Sequence, residues 1–265
     1  MPMKKTPKPT VASRFTSLIS SLVSRDCEDC QGAGQADGDV CQCVWDYRNR
    51  VTAAGFPARF RESDLASLDW ERYADPEAIR GVREYAERFE AYFEQGLGLW
   101  LYGPVGTGKT HLAVGIGKLA CAMGACSAFV NVPTWLEELR ATFDDKQVRS
   151  PSADRLKHLE HAIRERERTL LILDDLGMEN ATPWARDEIY RLVNRQYEQG
   201  GALVVTSNLD PNELVAGANQ IRGHAAGTIS RLVGTCLLVR LEAEDYRQHL
   251  KHSQLQAITK SGGNS

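Results

Sequence analysis

Apolar and polar positions along this chain follow two periods, and the periods alternate. The run Leu97-Gly-Leu-Trp-Leu-Tyr102 is apolar, short and closed by glycine, which reads as a buried strand. Ser127–Val132, Thr169–Leu173, Ala202–Thr206 and Thr235–Leu241 have the same character. Between them lie segments of helical spacing: His111–Leu119, Pro133–Phe143, Ala153–Arg168 with Leu156, Leu159 and Ile163 inward, and Thr182 to Gly200 with Ile189, Leu192, Val193 and Tyr197 inward. A short helix is expected from Pro211. Strands alternating with helices predict an α/β fold with a parallel sheet covered by helices. Upstream, Asp75 and Pro76 open one more helix, with Ile79, Val82, Ala86, Phe89 and Phe93 as its buried stripe and Gly96 as its end. Phe56–Phe60 reads as extended.

The turn after the first strand changes the picture from fold to chemistry. Gly103-Pro104-Val105-Gly106-Thr107-Gly108-Lys109-Thr110 matches the phosphate-binding pattern G-x-x-x-x-G-K-[ST], with a strand before it and a helix after it. The glycines let successive backbone N–H groups converge on one anion, and the start of the helix adds its partial positive charge. Lys109 can reach the outer phosphates and Thr110 can bind magnesium; His111 belongs to the same binding set. These residues predict a bound nucleoside triphosphate with Mg2+.

The Thr169–Leu173 strand ends in Asp174-Asp175. Carboxylates at the carboxyl end of a parallel strand beside a phosphate loop suit a magnesium nucleotide, with Asp174 on the metal and Asp175 on the attacking water. Asn208, at the tip of the Ala202–Thr206 strand, can reach the γ-phosphate or cap the helix at Pro211. Arg231, with Arg222 nearby, can serve a neighbouring subunit's site or form a surface ion pair.

Composition adds a second site. The 265 residues are 42% hydrophobic and 25% charged, with net charge −3, the profile of a soluble globular protein and not of a general nucleic-acid coat. No apolar run approaches the roughly 20 residues that span a bilayer. Seven cysteines do not form a secreted disulfide framework. Cys27-x-x-Cys30 and Cys41-x-Cys43, joined by a glycine-rich loop, can place four thiolates around a structural Zn2+, which points to the cytoplasm; a redox pair is the alternative. Cys121, Cys126 and Cys236 read as core. Before them, Val11, Phe15, Leu18, Ile19, Leu22 and Val23 make an apolar stripe in a basic segment that could dock on a partner, fold back on the zinc module or act as a transit sequence. The expected organisation is a basic amphipathic segment (1–25), a zinc module (26–55), a linker and adapter helix (56–95), an ATPase domain (96–250) and a flexible tail (251–265).

Gly103–Thr110, Leu171-Ile-Leu-Asp-Asp-Leu-Gly177, Thr182-Pro-Trp184, Val205-Thr-Ser-Asn208-Leu, Ile229-Ser-Arg-Leu232 and Asp245-Tyr-Arg247 together resemble the AAA+ ATPases of the DnaC/DnaI helicase-loader and IstB transposition-helper group. The likeness covers roughly Phe56 to Leu250, and the cysteine pattern is similar to the N-terminal zinc modules of DnaI-type loaders. The resemblance implies a three-layer αβα domain with a parallel five-stranded sheet and an ATP-driven switch. It implies self-association in an open ring or filament, single-stranded DNA as ligand and a replicative helicase as partner. It also places Trp135, Arg140, Lys146 and Arg149 near a DNA channel. Asp175 stands where most AAA+ proteins carry glutamate, which suits slow hydrolysis. A transposase helper acting on duplex DNA and a nucleotide-binding adaptor with little turnover are the alternative functions.

Overall fold

The computed structural model describes residues 23, 27–36, 38–60, 63–66, 68–73, 75–144, 149–165, 167–177, 182–219 and 225–246. The expectations for the stripe before Val23, for Lys146 and Arg222, and for the tail from residue 251 lie outside them.

Five parallel strands form the central sheet: β3 (Gly98–Tyr102), β4 (Cys126–Asn131), β5 (Thr169–Asp174), β6 (Ala202–Ser207) and β7 (Cys236–Arg240), in the spatial order β4-β5-β6-β3-β7. Each lies within a residue or two of its expected place. β5 and β6 are buried at every position, as strands covered on both faces must be. Successive side chains divide between two cores. Leu99, Leu101, Phe129, Leu170, Ile172 and Val204 face one layer, which includes α2 (Pro76–Glu87), α3 (Phe89–Glu94) and α4 (Lys109–Ala122). Trp100, Val130, Leu171, Leu173, Leu203 and Val205 face the other. That second layer holds α5 (Val132–Asp144), α6 (Pro151–Arg164), α7 (Pro183–Glu198) and α9 (Ala225–Thr235), while α8 (Pro211–Asn219) packs on α9. The expected three-layer α/β architecture is the observed one.

Four local expectations need correction. The helix opened by Asp75, whose carboxylate accepts from the N–H groups of Glu77 and Ala78, breaks at Arg88 into α2 and α3. In a straight helix, Tyr85 and Tyr92 would be separated by about 10 Å of rise. The break lets their rings stack at 5.1 Å, beside Phe89 stacked on Phe93 at 5.0 Å. Phe56–Phe60 is not extended throughout: Ala58–Phe60 is a 3-10 turn. The Ala153–Arg168 helix ends at Arg164, and Arg168 instead donates to the Met123 carbonyl. Tyr197 is exposed, and Gln196 takes the buried place; its amide donates to the carbonyls of Thr169 and Ala202 and so ties β5 to β6.

Before the sheet, β1 (Gln35–Ala36) and β2 (Asp39–Val40) form a small antiparallel hairpin, followed by α1 (Gln42–Ala53). Helix α1 packs on α4 and β4. The Arg50 guanidinium donates to the Cys121 carbonyl near the end of α4, and Phe129 N–H donates to the Ala54 carbonyl. No described helix is long and apolar enough to cross a membrane.

Candidate nucleotide site and cysteine cluster

The phosphate loop sits between β3 and α4 because its glycines adopt backbone angles that other residues resist. Gly106 has φ +82° and Gly108 has φ +90°. The first helical bond of α4 is Leu112 N–H to the Gly108 carbonyl, so Lys109, Thr110 and His111 carry the N–H groups of the helix start. Thr107 is fully buried and its hydroxyl donates to the Pro104 carbonyl, which closes the loop on itself. Val105, at the apex, is half exposed. The Lys109 ammonium donates to the carbonyls of Gly103 and Pro104 at 2.8 and 2.6 Å.

The acids that end β5 lie against this loop. Thr110 donates its hydroxyl hydrogen bond to Asp174 Oδ1 at 2.9 Å, across a separation of 64 residues in sequence. Asp174 is 2% exposed. Burial and then the neighbouring Asp175 charge push its carboxyl above the usual carboxylate range. Thr206 also donates to Asp174 Oδ1, at 2.8 Å, while its oxygen accepts from the Asp175 N–H. Asp175 has φ +59°, a left-handed turn that lifts its side chain off the strand axis. There the Asn131 amide donates to Asp175 Oδ2 at 3.1 Å and lies 3.4 Å from Asp174 Oδ2. Register explains the contact, since Asn131 pairs with Asp174 across β4 and β5.

Asn131 and Thr206 are site residues that sequence reasoning did not assign. Their one visible signal is a polar residue closing an otherwise apolar strand. The His111 ring lies against the Asp64 carbonyl at 3.0 Å and near Phe60, and burial holds its pKa below the usual value. Asn208 follows β6 at partial exposure, and the cap of α8 is Asp210, whose carboxylate accepts from Asn212 and Glu213. The capping alternative for Asn208 is therefore excluded. Arg231 is not in a surface ion pair of its own chain among the described residues. Its guanidinium lies 5.1 and 5.6 Å from the ring centres of Tyr190 and Tyr197 and donates to the Gly227 carbonyl.

The expected DNA-channel residues separate. Trp135 is 4% exposed within the second core and has no free face for stacking. Arg140 lies over the Trp184 ring, and Arg149 pairs with Asp154.

Cys27, Cys30, Cys41 and Cys43 converge, with all four sulfurs within 4.8 Å of one another. Cys27 and Cys41 are 3.4 Å apart at sulfur, Cys30 and Cys43 3.7 Å. Tetrahedral Zn–S bonds of about 2.3 Å place sulfurs about 3.8 Å apart, so the donor set fits zinc. Cys121 and Cys236 are buried core thiols and Cys126 is partly buried, as expected.

Oxygen donors from Thr110 and Asp174, with Asp175 adjacent, form the hard ligand set magnesium prefers, and the loop amides suit phosphate. Comparison with known proteins supplies the family. A replicative helicase loader, DnaI of Bacillus subtilis, is 29% identical over 161 residues, which cover 59% of this chain and 46% of that protein. An insertion-sequence IS21-like ATP-binding protein of Bacteroides fragilis is 29% identical over 206 residues, 76% of this chain and 70% of that one. This chain thus spans about half the length of the DnaI relative. Among solved structures, a DnaC helicase loader superposes with TM-score 0.54 at 22% identity, over 70% of this chain and all of that one. A DnaI structure gives 0.56 at 22%, over 74% and 98%. These two likenesses concern the fold alone. The model of the IstB-like ATP binding protein family matches residues 45–254, most of the chain, and the protein belongs to that family.

Proposed function

We propose that this protein is an ATP-dependent DNA replication factor that binds ATP and single-stranded DNA and delivers a replicative helicase. The observation that carries the ATPase is the 2.9 Å contact between Thr110 and Asp174, which joins the phosphate loop to the acidic strand end. Lys109 leaves the carbonyls of Gly103 and Pro104 to hold the outer phosphates, and residues 103–111 wrap the phosphate chain. Thr110 and Asp174 hold magnesium, which would neutralise charge developing on the phosphates. Asp175, oriented by Asn131, positions a water and accepts its proton; the water oxygen bonds to the γ-phosphorus as the bond to the bridging oxygen breaks and ADP leaves. Asn208 reads the γ-phosphate, and Arg231 of an adjacent copy contributes positive charge. The four cysteines hold a structural zinc.

The cysteine cluster, similar to DnaI-type modules, favours the loader. The Bacteroides relative, which aligns over more of the chain, favours a second reading: an ATPase helper of a transposase on duplex DNA. Lys109→Ala should abolish ATP turnover, and single-stranded DNA should stimulate the wild type. Turnover that survives Lys109→Ala would contradict the site. Co-purification with replicative helicase, against transposase as the rival bait, decides between loader and helper.

A further inference from the structure

Tyr73 follows the 3-10 turn Trp70–Arg72 and is 6% exposed. Its hydroxyl is enclosed and has no hydrogen-bond partner among the described residues. A Cβ placed on Gly108 would stand 2.8 Å from that oxygen, so the hydroxyl lies against the last glycine of the phosphate loop. The ring is held in place. The Arg72 guanidinium lies 5.7 Å from its centre and 4.5 Å from that of Tyr246, and donates to the carbonyls of Gly106 and Glu244 at 3.2 and 2.6 Å. Burial pushes the Tyr73 phenol up to about 12, so near neutral pH it is a protonated donor.

An enclosed hydroxyl with no partner is destabilising, because it has given up its hydrogen bond to water. Phenylalanine would fill the same space without that cost, so packing does not account for the oxygen. We propose that the Tyr73 hydroxyl is a positioning contact of the nucleotide site, donating to a phosphate oxygen of the triphosphate held by residues 103–110. This rests on the nucleotide reading given above and adds a donor from outside the phosphate-loop motif.

The test is Tyr73→Phe in the full-length protein. ATP affinity with magnesium should fall at least about tenfold, the scale of a hydrogen bond to a charged group. The melting temperature without ligand should hold or rise, because the unpaired oxygen is gone. Tripolyphosphate, used to displace a fluorescent ATP analogue, should weaken by a similar factor, because the contact is to phosphate. Unchanged ATP affinity overturns the proposal. A loss confined to ATP, with tripolyphosphate unaffected, places the hydroxyl on ribose or base and also overturns it. A loss accompanied by a lower ligand-free melting temperature assigns Tyr73 a structural role and overturns it too. Wild-type protein that binds no ATP sinks the nucleotide reading itself, an outcome distinct from all three.

Discussion

At the residue scale, Asp174 shows how one carboxylate serves two demands. Two hydroxyls and an amide surround it, yet burial and the Asp175 charge still raise its pKa. A carboxyl raised in this way opposes folding once it ionises. The sign for Asp174→Asn follows: at pH 7 the variant should melt higher than wild type and lose magnesium-dependent turnover. The stability gain should vanish as pH falls below the raised pKa, where the wild-type carboxyl is already neutral. Thermal melts of both proteins across the acid range check it, and a variant that is less stable at pH 7 than at acid pH, relative to wild type, would contradict the assignment. Both acids were legible in sequence because they end an apolar strand. Thr206 and Asn131 were not, because their roles depend on which strands are neighbours.

At the scale of elements, α1 links two sites that look separate along the chain. It begins between two cysteines of the cluster, and at its far end Arg50 holds the carbonyl of Cys121 on α4. Helix α4 in turn starts at the phosphate loop. Arg50→Ala should therefore cost about 1–2 kcal/mol of stability by leaving that contact unmade, while the cysteines still bind metal in stoichiometric amount. Removing a cysteine-bound metal with a chelator should loosen α1 from its opposite, cysteine end, read as faster amide exchange in residues 42–53. Exchange in α1 that does not respond to metal would separate the two sites after all. The sequence marked the cysteines, but neither the helix over Gln42–Ala53 nor its docking on β4 and α4 was expected from it.

At the scale of the whole molecule, Arg231 is engaged by Tyr190 and Tyr197 in its own chain, so a role at a neighbour's phosphates requires it to exchange those contacts on assembly. Complementation tests this. Lys109→Ala and Arg231→Ala should each hydrolyse ATP at least tenfold more slowly than wild type. Mixed together they should recover part of the rate, because one supplies an intact loop and the other the arginine. No recovery on mixing, with assembly verified by light scattering, would remove Arg231 from the site.

Local patterning by itself determined the order of the five sheet strands and the helices between them, the phosphate loop, the acidic strand end and the cysteine pairs, but not the hairpin and helix at residues 35–53. Those signals lie within a few residues of one another, as apolar period, glycine spacing and cap residues. Tertiary structure decided the rest. It set the strand order that brings Asn131 beside Asp174, buried Trp135 instead of offering it to a ligand, and split α2 from α3 so that Tyr85 could stack on Tyr92. It also brought Tyr73 against Gly108. Each of these is a contact between residues distant in sequence or a matter of which face turns inward, and side-chain packing settles both only when the layers close.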